Sequence, residues 1–137
     1  MKIASETEMM AFGEQFAKDL RPPKIIELVG DVGAGKTTFV RGLAKGLGVK
    51  EPITSPSFTI SKEYAFDGGI LIHYDFYRLQ DPGLMAGDLE ESINDPQAIV
   101  VVEWADSVEN ILPDDRIKIT LKYEDDGSRE IELWKCI

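Results

Sequence analysis

Cysteine and histidine are almost missing from the sequence, with one of each in 137 residues. The lone cysteine, Cys136, cannot form an internal disulfide, and no cysteine or histidine near it in the sequence could complete a metal-ligand set. The chain also lacks any apolar run close to the roughly 20 residues that a membrane-spanning helix requires, and its start, MKIASETEMM, has no signal-peptide core. We therefore expect a cytoplasmic protein.

Positive charge is scarce as well. The chain has 15 Lys and Arg residues against 25 Asp and Glu residues, which gives a formal net charge of −10. An approaching nucleic acid would be repelled unless a local basic face offset this charge, and no cluster of Lys and Arg provides one. We therefore expect no direct nucleic-acid binding by this chain alone.

The length and composition are typical of one globular domain. Hydrophobic residues make up 43% of the chain and charged residues 29%. A chain of this length can bury enough surface to fold without disulfides or metals. We expect a single domain over residues 1–137.

The pattern of apolar residues predicts helices alternating with strands. Ser5 begins SETE, which has the form of a capping box, and an apolar stripe follows at helical spacing and ends at Pro22 and Pro23. That stripe consists of Met9, Phe12, Phe16 and Leu20. Six short β-rich runs follow: KIIELV, the pair FTISKEYAF and ILIHYDFY around DGG, AIVVVEW, and the pair RIKITLKY and REIELWKC around EDDGS. A helix is predicted from Lys36 to about Leu47, with Gly46 and Gly48 ending it. Together these elements indicate an α/β fold with a central mixed sheet flanked by helices.

The loop GDVGAGKTTF lies between a predicted strand and a predicted helix. Gly30, Gly35, Lys36 and Thr37 match the phosphate-binding pattern G-x-x-x-x-G-K-[ST]. Glycines let backbone N–H groups turn inward toward phosphate, the lysine reaches the outer phosphates, and the threonine hydroxyl binds Mg²⁺. The sequence therefore predicts a P-loop NTPase-like domain. The predicted phosphate contacts are Gly33, Ala34, Gly35, Lys36, Thr37 and Thr38.

Two carboxylates follow hydrophobic strands. Glu103 comes directly after IVVV, at what should be the carboxyl end of a parallel strand, where open α/β sheets bind ligands. A nucleotide site needs an acid there to bind Mg²⁺ and to polarise an attacking water. Asp75 in HYDFYR ends another strand and is the second candidate for metal binding and catalysis. His73 and Trp104 are expected to pack or hydrogen-bond beside this site.

Other features leave alternatives open. The segment TSPSFTI, residues 54–60, lies where P-loop proteins place a loop that senses the γ-phosphate, although an ordinary loop would read the same way. Arg41 and Arg78 could contact phosphate or pair with acidic residues, and pairing is favoured. No NKxD run selects guanine, so adenine is the default base. The loop alone would also suit a small P-loop kinase, or a nucleotide-gated interaction module with negligible hydrolysis.

Four motifs in order resemble a known family. GDVGAGKTTFVRG, TSPSFTI, HYDFYRLQDP and VVEW resemble the small bacterial P-loop ATPases of tRNA threonylcarbamoyladenosine (t6A) biosynthesis, the TsaE or YjeE family. The resemblance covers about Gly30 to Pro113.

The resemblance implies a function and a set of site residues. It implies an ATPase with Lys36 and Thr37 on phosphate and Mg²⁺, Glu103 as metal ligand and water activator, and Asp75 as a second acid. It also implies nucleotide contacts near Glu6 and near Arg129. The expected partners are a TsaD-type carbamoyltransferase and its TsaB-type companion, a complex that ATP hydrolysis would reset between turnovers.

Overall fold

The computed structural model describes residues 1–30, 35–54, 60–76 and 83–135, so the predictions made for Cys136 lie outside it. The described residues form seven strands, three α-helices and a short 3-10 helix. The strands are β1 (Lys2–Ile3), β2 (Lys24–Gly30), β3 (Ser61–Phe66), β4 (Gly69–Asp75), β5 (Ala98–Glu103), β6 (Ile117–Tyr123) and β7 (Arg129–Lys135). The helices are α1 (Glu6–Ala17), α2 (Lys36–Leu47), α3 (Leu84–Ile93) and the 3-10 turn Ala105–Val108.

All seven strands belong to one sheet, in the order β1-β7-β6-β2-β5-β4-β3. The central strand β2 is parallel to both β5 and β6, and β4 is parallel to β5. The outer pairs β3–β4, β6–β7 and β1–β7 are antiparallel. This order confirms the predicted mixed sheet and both predicted hairpins. It also brings the carboxyl ends of β2, β4 and β5 to the same edge.

Alternating side chains of the parallel strands belong to two separate hydrophobic cores, one on each face of the sheet. On one face, Ile26 and Leu28 of β2 pack with residues of α1 and α2. On the opposite face, Ile25 packs with residues of α3 and of the 3-10 turn. Strand β5 is buried along its whole length because helices cover both of its faces. This explains why AIVVVE reads as a continuous apolar run rather than as an alternating one.

The first helix begins as its capping pattern predicts. Ser5 is the N-cap, and its side chain accepts a hydrogen bond from the amide of Glu8 at 3.2 Å. The carboxylate of Glu8 accepts a bond from the amide of Ala4 at 2.6 Å, one residue before the position that an ideal capping box uses. The helix ends at Ala17, ahead of the two prolines, because the chain turns there and the amide of Leu20 bonds to the Ala17 carbonyl.

The second helix has the predicted bounds, but its two late glycines have different roles. Gly48 is the C-cap with φ of 95°, a left-handed conformation that glycine adopts readily. Gly46 lies inside the helix, so the prediction that it ends α2 is wrong. Its missing side chain instead lets α1 approach, since a Cβ there would lie 2.5 Å from the Glu14 carbonyl oxygen.

Three elements were not predicted: β1, α3 and the 3-10 turn. Each is short or weakly patterned, and β1 has only two residues. In α3, Leu89 is the buried residue, so this helix gives little periodic signal. None of the helices in the described ranges has the length and apolar character that a bilayer crossing requires.

Candidate functional site

Three strand ends meet at the edge of the sheet where the phosphate loop begins. Asp75 and Glu103 are direct neighbours in the register of β4 and β5, and Glu103 in turn lies beside Leu28 of β2. Strand β2 ends at Gly30, the first residue of the loop motif. The sequence places these residues far apart, and the parallel pairing brings them together.

The two acids point toward the same face of the sheet. Side chains alternate along a strand, and Val101 of β5 belongs to the core beneath α2. Glu103 therefore lies on the α2 side. By the same alternation Leu71, which belongs to that core, puts His73 and Asp75 on the α2 side as well. Helix α2 begins at Lys36, so the acids and the start of the helix share one face.

Lys36 is the centre of this arrangement. Its side chain is 8% exposed, and its ammonium group donates a hydrogen bond to the Gly30 carbonyl oxygen at 2.5 Å. The same nitrogen lies 3.9 Å from Oε1 of Glu103 and 4.0 Å from the centre of the Trp104 ring. A positive charge buried among a carbonyl, a carboxylate and an aromatic face is well placed to bind phosphate at this edge.

Trp104 reaches Lys36 through an unusual backbone conformation. Its φ is 55°, in the left-handed region, which a bulky residue adopts at a cost of about 1–3 kcal/mol. This turn directly follows the end of β5 and precedes the 3-10 helix. The conformation lays the indole beneath the lysine ammonium. Trp104 thus packs against Lys36, which confirms the expectation that it lies beside this group of residues.

A histidine contacts the other carboxylate oxygen of Glu103. Its carboxylate is almost wholly buried, and Oε2 lies 2.5 Å from Nε2 of His73. The two oxygens of Glu103 therefore face different groups, one toward His73 and one toward Lys36. The sequence offers a signal for this contact, because His73 precedes Asp75 by two positions and so shares its face of β4.

The N-terminus of α2 presents backbone amides rather than a side-chain cap. Gly35 is the N-cap with φ of 99°, and no side chain in the described part of the chain caps this helix. Thr38 is buried and Thr37 is half-buried. The first turn contains no acidic residue. A helix start with uncapped amides and a positive dipole is suited to an anion such as phosphate.

The available donors fit a magnesium ion bound next to phosphate. The Thr37 hydroxyl and the carboxylates of Asp75 and Glu103 carry oxygen atoms, the ligand type that Mg²⁺ prefers. Among the residues that the structure describes, no group of three or more His, Cys, Asp or Glu side chains could hold a metal. Mg²⁺ at nucleotide sites takes most of its ligands from phosphate and water rather than from a protein cage.

The two predicted nucleotide contacts outside the phosphate loop, Glu6 and Arg129, both lie near the start of α1. Glu6 is the exposed first residue of α1, and Met9, about one turn later, lies against Gly35. Arg129 pairs with Ile3 in the register of β7 and β1, just before α1 begins. The guanidinium of Arg129 lies 4.4 Å from the centre of the Tyr123 ring and donates to the Gly127 carbonyl oxygen. The structure thus puts Glu6 and Arg129 near the same end of the chain's first helix.

Some predicted residues lie outside the described ranges. These are Gly33, Ala34, Arg78 and the middle of TSPSFTI, residues 55–59. Arg41 is exposed on α2.

An open cleft of about 580 Å³ beside Gly30 and Trp104 was not predicted. It is lined by the carboxyl ends of β2 and β6 and by the start of the 3-10 turn. No sequence pattern points to it, because it arises from the spacing of elements.

Comparison with known proteins identifies the family. The sequence profile described as "Threonylcarbamoyl adenosine biosynthesis protein TsaE" matches residues 3–131. A "tRNA threonylcarbamoyladenosine biosynthesis protein TsaE" from Bacillus subtilis is 42% identical over 95% of this chain and 81% of its own length. The protein of that name from Aquifex aeolicus is 38% identical over 97% of this chain and 93% of its own length.

A solved structure agrees with this result. The crystal structure of Bacillus subtilis YdiB superposes with a TM-score of 0.79 at 37% identity, covering 96% of this chain and 80% of that one. The P-loop NTPase-like α/β fold predicted from the sequence is confirmed by this likeness and by the strand order. The phosphate-loop sequence, the fold around it and the match along nearly the whole chain agree. The chain therefore belongs to the TsaE family, the threonylcarbamoyl adenosine biosynthesis proteins.

Proposed function

We propose that the chain binds and hydrolyses ATP as a component of the tRNA t6A machinery. One observation carries this proposal. The Lys36 ammonium and the Glu103 carboxylate lie 3.9 Å apart, both buried, at the carboxyl edge of the sheet where α2 begins. A phosphate-binding cation next to a water-polarising acid is the pair that nucleotide hydrolysis requires. Membership of the TsaE family supplies the biological context.

The binding step falls to the phosphate loop and the start of α2. We assign the phosphates to Lys36 and to the backbone amides of the loop and first turn, a set made up of Gly33, Ala34, Gly35, Thr37 and Thr38. The amides of the first turn of α2 need not reorganise, because the helix already fixes them. Glu6 and Arg129 are assigned to the rest of the nucleotide, since both lie near the end of α1 that adjoins Gly35.

Mg²⁺ would be held by Thr37, Asp75 and Glu103. When bound, the ion neutralises charge that develops on the phosphates during transfer. The three side chains belong to different elements, α2, β4 and β5, whose relative positions the central sheet fixes. This rigid framework keeps the oxygen donors in place before nucleotide arrives.

Glu103 is assigned to polarise the attacking water. Glu103 as a whole is 4% exposed, so its carboxylate lies where bulk water is largely excluded and where its charge acts over a short distance with little screening. The indole of Trp104 covers Lys36 and limits access to the site from one side. Asp75, adjacent to Glu103 in the register, is the second acid.

We infer that partner proteins complete this site. Among the described arginines, Arg116 bonds to Glu27, Arg21 bonds to carbonyl oxygens of Lys18 and Leu20, and Arg41 is exposed on α2. Arg129 donates to the Gly127 carbonyl oxygen and lies over the Tyr123 ring. An arginine supplied from outside can raise the rate of nucleotide hydrolysis by roughly 10³ to 10⁵. The proposed partners are the TsaD-type carbamoyltransferase and its TsaB-type companion in the cytoplasm. We propose that residues 1–137 act there as a single ATPase domain with no direct contact to nucleic acid.

The test is phosphate release from ATP by the purified chain in Mg²⁺ buffer, with Lys36→Ala as the control for contaminating ATPases. Release that is lost in Lys36→Ala and that needs no acceptor supports the proposal. Phosphate transfer to a metabolite instead of water would indicate a small kinase. Tight ATP binding without turnover, even with partners present, would indicate a nucleotide-gated interaction module.

A further inference from the structure

His73, the one histidine of the chain, is completely buried beside Glu103. Its Nε2 lies 2.5 Å from Oε2 of Glu103. Its other ring nitrogen, Nδ1, is buried and has no hydrogen-bond partner within the part of the chain that the structure describes. The imidazole therefore makes one polar contact there, and that contact is to the acid of the candidate site.

This arrangement decides which ring nitrogen carries the proton. A neutral imidazole has one N–H donor and one bare acceptor nitrogen. A buried N–H without an acceptor is rare in proteins, because the lost hydrogen bond to water is not replaced. In the neutral ring the proton therefore belongs on Nε2, where Glu103 accepts it, and Nδ1 is left bare.

Packing alone does not account for a histidine at this position. On the same face of the sheet His73 neighbours Leu71 of its own strand and Val101, its register partner in β5. Both neighbours are apolar and belong to the core. A leucine would fill such a site without leaving a buried nitrogen unmatched. The contact with Glu103 is the feature that a leucine could not supply.

We propose that His73 is a positioning residue for Glu103. Its Nε2–H donates to Oε2 and fixes the carboxylate, so that Oε1 faces Lys36 and the phosphate site. Glu103 then acts on metal and water through Oε1 alone. This inference rests on the proposed function, because it assigns His73 to the orientation of the acid that polarises water. Partners of this kind that orient an active group change activity by roughly 10- to 100-fold when removed.

The position of the proton can be measured without any variant or activity assay. Labelling the full chain with ¹⁵N-histidine gives the signals of a single imidazole, since there is one histidine. A long-range ¹H–¹⁵N correlation spectrum at neutral pH identifies the protonated nitrogen. We expect the proton on Nε2. A proton on Nδ1 with Nε2 bare would overturn the proposal, because His73 could not then donate to Glu103.

Two amide variants test the consequence for catalysis. Glutamine carries its NH₂ group near the position of Nε2, whereas asparagine carries it near the position of Nδ1. We expect His73→Gln to keep kcat within about 3-fold of the wild type and His73→Asn to lose roughly 10- to 100-fold, with the Kd for ATP unchanged in both. Equal kcat values for the two variants would overturn the proposal. If neither variant folds, as judged by thermal melting, the spectrum of the wild type decides.

A double variant separates this inference from the proposed function. If His73 acts through Glu103, adding His73→Asn to Glu103→Gln should cause no further loss of turnover. An additional loss of the full size seen in the single variant would show that His73 supports the fold instead, and would overturn the proposal. If the wild type hydrolyses no ATP even with partners, the proposed function fails, and the proton position still tests the contact.

Discussion

The ammonium of Lys36 and the carboxylate of Glu103 lie 3.9 Å apart, and the side chains are 8% and 5% exposed. This separation is longer than a direct hydrogen bond, so a water molecule can accept from the ammonium and donate to the carboxylate. In this structure the lysine bonds instead to the Gly30 carbonyl, where the loop begins. Nucleotide binding would exchange that bond for one to phosphate.

Replacing Lys36 should therefore weaken ATP binding. Charge-assisted hydrogen bonds are worth about 1.5–3 kcal/mol, so we expect Lys36→Ala to raise the Kd roughly 10- to 150-fold in titration calorimetry. Lys45→Ala is a matched control, because Lys45 is an exposed lysine at the other end of the same helix. An ATP affinity unchanged in Lys36→Ala and equal to that of the control would contradict the phosphate-loop assignment.

Trp104 should report the arrival of nucleotide. Its ring lies 4.0 Å from the Lys36 ammonium, so moving that charge onto phosphate changes the surroundings of the indole. The chain has two tryptophans, which makes Trp134→Phe the background in which the fluorescence of Trp104 is observed alone. We expect a saturable change in emission on ATP addition that disappears in Lys36→Ala.

The reciprocal variant is the check on this assignment. Trp104→Phe with Trp134 retained should lose the ATP-dependent signal. A signal that survives in Trp104→Phe would show that the emission of Trp134 is the reporter and that the contact with Lys36 does not respond to nucleotide.

The packing of α1 on α2 should be sensitive to a single methyl group. A Cβ on Gly42 would lie 2.2 Å from the Met10 carbonyl oxygen, and the backbone there cannot move without separating the helices. We expect Gly42→Ala to lower the free energy of unfolding by about 1–3 kcal/mol in urea denaturation, the scale of an overpacked core.

The control for this variant lies in another helix. Gly87 is inside α3, and a Cβ there would meet nothing within 4 Å. Gly87→Ala should stabilise the protein by roughly 0.5–1 kcal/mol, because alanine favours the helix and restricts the unfolded chain. Equal effects of the two substitutions would show that the helices are not in close contact at Gly42.

A buried ion pair should matter more than an exposed one. Nε of Arg116 lies 2.7 Å from Oε1 of Glu27, and the two side chains are 12% and 7% exposed. Arg116→Met leaves the Glu27 carboxylate buried without this partner, so we expect a loss of about 3–5 kcal/mol in the free energy of unfolding. Lys122→Met breaks the exposed pair with Glu132 and should cost less than about 1 kcal/mol. Similar losses from both would contradict the difference in burial.

Much of the fold could be predicted from the sequence because its signals are local. Strand β5 reads as an unbroken apolar run, and Gly48 ends α2 where a left-handed residue is needed. The end of α1 could not be predicted from Pro22 and Pro23, because a tertiary turn that buries Leu20 stops the helix earlier. The interior position of Gly46 likewise depends on the approach of α1, which local pattern does not encode.

Some features of the candidate site could likewise be predicted from the sequence and others could not. Lys36 and Glu103 could be found from the loop motif and from the acid at a strand end. The distance between the side chains of Lys36 and Glu103 could not be predicted, since it depends on the parallel pairing of β2 with β5. The bond from His73 to Glu103 is a diagonal contact between neighbouring strands, and it requires the register that pairs Asp75 with Glu103. Sequence order alone does not specify that register.

We propose that this chain is an ATPase whose site is completed by partner proteins. Steady-state phosphate release, measured for the chain alone and then with the TsaD-type and TsaB-type proteins added together, tests it most directly. We predict slow release by the chain alone, a large rise with both partners, and a loss of roughly 100-fold or more in Glu103→Gln while ATP still binds. Fast release by the isolated chain that neither the partners nor Glu103→Gln changes would contradict the account.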